Sequence, residues 1–290
     1  MRTKNNLMAQ IFSFFALVRV QNIILLSIAF FLTSKYFFAT RDNFWQLLND
    51  HKFIALLLAT TISIASGYII NGFYDLKKDM INRPDKTLLE LQLSQTKRLY
   101  LYFGFNLLAV IIASFISWRA ALFFSVYIFL IWFYSHKIQN IVFINNLWMT
   151  ILSIFPFFGI FLYFKKVNSF ILWHAGFLFL ILLIKNMLKD FINIKGDMVE
   201  NKQTLPIIYG EQKSKNIILI ISIITFIPVI RLLQYNYIGN MRYYFYLAIL
   251  LYATGFIWFY FKSVAIRYFY IVVKFLIAIG VFAVMLIQSN

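Results

Sequence analysis

The sequence predicts an all-α membrane protein with nine transmembrane helices, and three observations carry that prediction. Of its 290 residues, 62% are hydrophobic and 13% charged, whereas soluble domains hold about 45–50% apolar and about 25% charged residues. A soluble core of this length cannot hide so much apolar surface, and a bilayer can; the mean hydropathy is +0.79. The apolar residues also fall into nine runs close to the roughly 20 residues that a spanning helix needs: 18–39, 53–74, 98–117, 119–134, 141–163, 168–189, 214–234, 241–262 and 268–288. Backbone in lipid must bond internally, and runs this long and continuous favour helices over a closed barrel. Finally, 35 Phe, 18 Tyr and 6 Trp suit lipid-facing and interfacial positions.

The first run merges with the segment before it, where no small-residue cleavage site stands out, so residues 1–22 do not read as a cleavable signal peptide. The fourth run is short, and the turn joining it to the third is tight, around Arg119. With the N-terminus in the cytoplasm, 18 Lys and Arg fall on the inner side and 8 on the outer. That bias predicts an N-in, C-out topology. Short loops and the lack of repeats or Pro-rich linkers make residues 1–290 one polytopic membrane domain. The absence of cysteine excludes disulfides, thiolate metal sites and a Cys nucleophile. A net charge of +17 reads as topology plus anionic ligands at the membrane surface, not as nucleic-acid binding.

Ten residues are acidic, and eight of them form two clusters: Asp75, Asp79, Asp85 and Glu90, then Asp190, Asp197, Glu200 and Glu211. Both follow even-numbered spans, so the predicted topology puts both in the cytoplasm. Carboxylates near membrane depth are costly and mark function; the alternative is a solvated helix end whose acids balance nearby lysines. If the second span continues as a helix, Asn71, Asp75 and Asp79 share one face at i, i+4, i+8. Stacked carboxylates repel unless a cation binds between them, and Mg²⁺ is usually held by one or two carboxylates plus substrate phosphates. Asp190, Asn193 and Asp197 lie at i, i+3, i+7. Gly196 permits the helix to end there, placing Asp197 just beyond it, and Pro206 in Thr204-Leu205-Pro206 begins new backbone geometry.

These residues resemble the UbiA superfamily of intramembrane prenyltransferases, in its branch of geranylgeranylglycerol-phosphate geranylgeranyltransferases and chlorophyll synthases. The chain matches an N-x-x-x-D-x-x-x-D motif with Asn71, Asp75 and Asp79. It matches a K-D-x-x-D-x-x-G-D…T-L-P form from Lys189-Asp190 through Gly196-Asp197 to Thr204-Leu205-Pro206. It departs from the family where Gly72 replaces an Asp, where Asn193 replaces the middle Asp, and where Gln139 stands at the Lys of Y-S-x-x-L-K. The resemblance implies nine helices around a central cavity that opens to the cytoplasmic side. It also implies Mg²⁺-dependent transfer of a prenyl group, geranylgeranyl above all, from a diphosphate to a lipophilic acceptor, with a lean to geranylgeranylglycerol phosphate. Asp75 with Asp79, and Asp190 with Asp197, are the expected metal ligands, supported by Asn71 and Asn193. Lys189, Lys202, Arg83 and Lys137 are the expected phosphate contacts, with Lys137 standing in for the missing lysine. Tyr134 is expected to touch the diphosphate or the allylic cation, and Arg19 with Asn22 to line the cavity.

Within that family an aromatic or quinone-precursor acceptor remains open. Outside it, a transporter or lipid-binding protein is the competing reading, which calls for mid-span charges and broken helices. The expected partners are prenyl diphosphate, acceptor and membrane lipids, in a bacterial or archaeal plasma membrane.

Overall fold

The structure, a computed structural model, describes residues 7–39, 44–262 and 265–287; Arg2, Lys4, Arg41 and Asp42 lie outside the described residues. Every regular element described is helical: α1 (Leu7–Leu17), α2 (Val20–Thr33, closed by a π-helical turn Ser34–Phe38), α3 (Phe44–Asn49), α4 (His51–Tyr74), α5 (Leu76–Asn82), α6 (Pro84–Glu90), α7 (Gln95–Ile116), α8 (Trp118–His136), α9 (Ile144–Phe164), α10 (Ser169–Val199), α11 (Leu205–Leu233), α12 (Met241–Phe261) and α13 (Ile266–Ala283). Among the described residues, nine helical segments are long and apolar enough to cross a bilayer. Each overlaps one of the nine runs expected from the sequence. Two reach well beyond the runs: α10 extends to Val199, and α11 begins at Leu205 and breaks at Gly210. Gly210 has φ 77° and ψ 170°, a conformation that a residue with a Cβ rarely adopts.

The chain divides into two compact units. The first comprises the described residues of Met1–Ser27, Leu48–Gln139 and Lys195–Lys202. Here α4 packs on α7 and α8 through small buried residues, with Ala59, Ala109 and Ala113 fully enclosed. Small side chains let helix backbones approach closely where lipid supplies no hydrophobic drive to associate. Side chains cap the helix starts: Asp50 Oδ1 accepts from the N–H groups of Lys52 and Phe53, and Ser94 Oγ from that of Lys97. The tight turn expected near Arg119 is one extended residue, Ser117, which ends α7 and whose Oγ caps α8 through the Ala120 N–H. Before the first span, α1 lies on α6, with Ser13 Oγ donating to the Glu90 carbonyl.

The second unit comprises the described residues of Ile28–Leu47, Asn140–Ile194 and Gln203–Asn290. Its core gathers Ile184, Met187, Phe245, Phe259, Phe269 and Leu276. Tyr252 is buried there, and its hydroxyl is satisfied by Ser222 Oγ at 2.6 Å, as a phenol in an apolar core requires.

Candidate functional site

In the first unit, α4 ends at Tyr74 and Asp75 interrupts it with φ −93° and ψ 8°. The backbone bonds nevertheless run on: Asp75 N–H to the Asn71 carbonyl at 2.9 Å, Asp79 to Asp75 at 2.8 Å and Arg83 to Asp79 at 2.9 Å. Asn71, Asp75 and Asp79 therefore keep one face across the break. Asn71 Oδ1 accepts from Ser135 Oγ at 2.6 Å. Asp79 is buried and takes a two-pronged contact from Arg83 Nη2 at 2.8 and 2.7 Å, and Asp75 takes the ammonium of Lys202.

The expectation that Gly196 ends its helix is corrected by the structure. The helix passes through Gly196 to Val199. A Cβ on Gly196 would meet the Asn82 side chain and stand 2.7 Å from the Lys78 carbonyl. Glycine is needed here because α5 passes against the helix, and the Gly196 N–H donates to Asn82 Oδ1 at 3.3 Å. The actual stop is at Asn201, whose φ of 53° is left-handed. Its N–H bonds the Met198 carbonyl at 3.2 Å, and the Lys202 N–H bonds that of Asp197 at 2.9 Å. This pair of bonds is a Schellman ending, and it brings Glu200 and Lys202 beside Asp197.

Asp197 is fully buried. Its oxygens accept no hydrogen bond of ordinary geometry, and its charge is met by Lys78 Nζ at 2.5 Å. Glu200 Oε1 accepts the backbone N–H of Lys78 at 3.0 Å, while Oε2 stands 3.2 Å from Lys202 Nζ. Lys202 is 6% exposed and also donates to Gln139 Oε1 at 3.1 Å. The two acidic segments thus exchange cations, a lysine of each lying on an aspartate of the other.

In the second unit, Asp190 is 9% exposed and accepts from Asn146 Nδ2 at 2.9 Å. Thr150 Oγ1 donates to the Asn146 carbonyl at 2.7 Å and accepts from Asn186 Nδ2 at 3.0 Å. A polar seam along α9 and α10 therefore holds Asp190 in place. Lys189 and Asn193 are half-buried on the same helix. The unit also encloses a cavity of about 560 Å³, lined by Phe37, Phe157, Phe161, Phe177, Tyr244 and Val281 among others. Its α10 wall ends at Ile181, about 13 Å of helix rise from Asp190, towards the α9–α10 turn.

Arg19 and Asn22 meet one residue that the sequence reading did not single out, Tyr68. The guanidinium lies 5.0 Å from the Tyr68 ring centroid, and Asn22 Nδ2 donates to its hydroxyl at 3.5 Å. Tyr68 precedes Asn71 by three residues on α4, on the same helical face. Tyr134 is half-buried, one residue before Ser135. Lys137, expected to replace the missing lysine, is exposed, and buried Gln139 instead touches Lys202. Beside this cluster, burial raises the Glu90 carboxyl above the usual range, against the pull of Lys86, Arg19 and Arg83; burial lowers Lys86, its ion-pair partner at 3.5 Å. Lys78, Glu200, Ser135, Asn146, Thr150 and Asn186 were not assigned roles from the sequence. For Asn146 and Thr150 the signal was present, as polar residues four apart inside an apolar span.

Among the described residues, no three His, Cys, Asp or Glu side chains close on one point to cage a metal alone. The donors are carboxylate and amide oxygens, which suit a hard divalent cation bound by one or two carboxylates and completed by phosphate oxygens. Asp197, buried and without an ordinary hydrogen bond, has lone pairs for such an ion.

The model of the UbiA prenyltransferase family matches residues 23–286. Digeranylgeranylglyceryl phosphate synthase of Methanosphaera stadtmanae is 32% identical over 188 residues, 64% of this chain and 68% of that protein. The synthase of the same name from Thermococcus sibiricus is 32% identical over 181 residues, 60% of this chain and 62% of that protein. The chain thus matches roughly two thirds of the length of these relatives. Among solved structures, one described as digeranylgeranylglyceryl phosphate synthase superposes with a TM-score of 0.66 at 18% identity, covering 94% of this chain and 96% of the other. A UbiA homologue of Archaeoglobus fulgidus bound to GPP and Mg²⁺ gives 0.64 at 13% identity, covering 94% and 99%.

Proposed function

The chain belongs to the UbiA prenyltransferase family and is a membrane prenyltransferase, and we propose that it transfers a geranylgeranyl group from its diphosphate to geranylgeranylglyceryl phosphate with the help of Mg²⁺. The transporter alternative falls with the family match. The observation that carries the proposal is the exchange of cations between the two acidic segments. Four carboxylates, Asp75, Asp79, Asp197 and Glu200, are matched there by Lys78, Arg83 and Lys202. Such a set offers oxygens to a metal and cations to phosphates from one place. The choice of acceptor rests on the likeness to digeranylgeranylglyceryl phosphate synthases.

In this reading Asp75 and Asp79 would hold one ion and Asp190 with Asp197 another, with Asn71 and Asn193 as supporting oxygens. Bound Mg²⁺ supplies positive charge against the diphosphate as its bond to C1 of the prenyl chain breaks. The acceptor hydroxyl oxygen forms the new bond to C1 and loses its proton, and diphosphate leaves. Lys202, Lys78 and Arg83 meet the charge that grows on the leaving group. Lys189, next to Asp190, is a further phosphate contact, and Tyr134 offers a ring face to the allylic cation, worth about 0.5–2 kcal/mol. Arg19, fixed over Tyr68, gives the acceptor phosphate a cation. The apolar cavity of the second unit has room for an isoprenoid chain, since ligand pockets run to about 300–1,000 Å³. The site opens to the cytoplasm, with the N-terminus on that side.

The test presents purified protein and labelled geranylgeranyl diphosphate with a panel of acceptors: geranylgeranylglyceryl phosphate, an aromatic acid and a chlorin. Product with the first alone is expected. Product with the aromatic acid alone would move the chain to the quinone-precursor branch.

A further inference from the structure

The role of Glu200 follows from what surrounds Lys202. The Lys202 ammonium has three donors and three neighbours: Asp75, Glu200 Oε2 at 3.2 Å and Gln139 Oε1 at 3.1 Å. Only Asp75 belongs to the acidic motif read as metal-binding. The Lys202 ammonium rests on Asp75 Oδ1, so a divalent ion that takes this oxygen displaces Lys202. A buried ammonium that loses its partner is costly, and with 6% exposure Lys202 has little access to water. Glu200 and Gln139 remain to hold it. Glu200 itself is anchored by the Lys78 N–H at 3.0 Å and by its place in the Schellman ending of α10.

From this geometry we infer that Glu200 is a positioning residue that keeps Lys202 at the site while its partner changes, from Asp75 in the ligand-free protein to diphosphate oxygens once a divalent ion takes Asp75. The inference rests on the prenyl-diphosphate reading above. It makes Lys202 an internal stand-in for the metal, so that metal alone binds weakly and a diphosphate releases its ligand. No bond to carbon is made or broken; one ammonium changes partner.

The test uses the full chain in detergent, with Mn²⁺ as the metal probe and an unreactive geranylgeranyl thiolodiphosphate as the diphosphate probe. Lys202→Met is expected to bind Mn²⁺ alone about tenfold more tightly than the unsubstituted chain, because the competing cation is gone. Lys77→Met removes an equal charge from an exposed side chain and is expected to stay within about twofold. Glu200→Gln keeps the acceptor for the Lys78 N–H and removes only the charge. With Mn²⁺ present, this variant and Lys202→Met are each expected to bind the thiolodiphosphate about tenfold more weakly. Equal Mn²⁺ affinities for Lys202→Met and Lys77→Met, or unchanged thiolodiphosphate binding in Glu200→Gln, would overturn the inference and leave the prenyltransferase reading standing. If the unsubstituted chain binds neither probe, that reading fails and the inference fails with it.

Discussion

Residue by residue, the site is a problem of placing charges where water is scarce. Asp197 is fully buried and faced by Lys78, and Asp190 is held by an amide of the neighbouring helix. Asn146→Ala would remove one donor from Asp190, and a hydrogen bond to a charged group contributes about 1.5–3 kcal/mol. The expected result is a lower melting temperature in detergent together with weaker Mn²⁺ binding; weaker binding with an unchanged melting temperature would point to a role for Asn146 in ligation alone. Glu90 gives a prediction with a pH sign. Its folded carboxyl is raised mainly by burial, so the charged form is the costly one and stability is lost as pH rises past the ordinary carboxylate value. Glu90→Gln should melt with the unsubstituted chain at pH 4 and above it at pH 7, the gap opening as pH passes the ordinary carboxylate value and reaching its full size above the raised folded value; a gap that is constant across that window would contradict this. Half of the charge pattern was legible in the sequence. The aspartates stood out because acids are scarce in this chain, and Tyr134 and Gln139 because of a familiar spacing. Lys78 did not, because a lysine in a basic loop is already explained by topology, and which aspartate it meets depends on how α5 packs; Glu200 stood out only as a member of the second acidic cluster, with no partner legible.

The elements show where local rules gave way to packing. A glycine followed by polar residues reads as a helix end, yet α10 runs through Gly196 because its missing Cβ admits α5. The left-handed stop falls five residues later at Asn201, a residue type that tolerates that conformation. Gly196→Ala should force the two acidic segments apart at a cost of about 1–3 kcal/mol, the usual range for overpacking. It should lower diphosphate-probe affinity even where the far-ultraviolet spectrum is unchanged; an Ala variant that binds as tightly as the unsubstituted chain would show that the contact has slack. A tight turn around Arg119 was expected, because two apolar runs with almost nothing between them leave no other option; the structure makes it at Ser117. The extra helix α1 was not anticipated. Its apolar residues run into the first span, and only the left-handed backbone of Arg19 (φ 52°) separates the two.

At the scale of the molecule, the nine long apolar helices among the described residues were readable from hydropathy, since lipid demands long apolar runs and little else. Two compact units were not, because hydropathy carries no information on which helices share contacts. Topology has a clean test, as the chain has no native cysteine. Single cysteines in place of the exposed residues Lys137 and Asn240 should differ in intact cells, with a membrane-impermeant maleimide reaching position 240 and not 137. The reverse would invert the N-in assignment. The central claim is that two acidic segments and a divalent ion together drive prenyl transfer, and the rate of labelled lipid formation tests it most directly. Geranylgeranyl diphosphate and geranylgeranylglyceryl phosphate are supplied with Mg²⁺ or with EDTA, to the unsubstituted chain and to Asp75→Asn, Asp79→Asn, Asp190→Asn and Asp197→Asn. The expected result is a Mg²⁺-dependent rate that EDTA abolishes and that each substitution lowers by about 10²-fold or more, as loss of a group that stabilises transition-state charge does. A rate indifferent to EDTA, or undiminished when Asp75 or Asp190 is replaced, would contradict it.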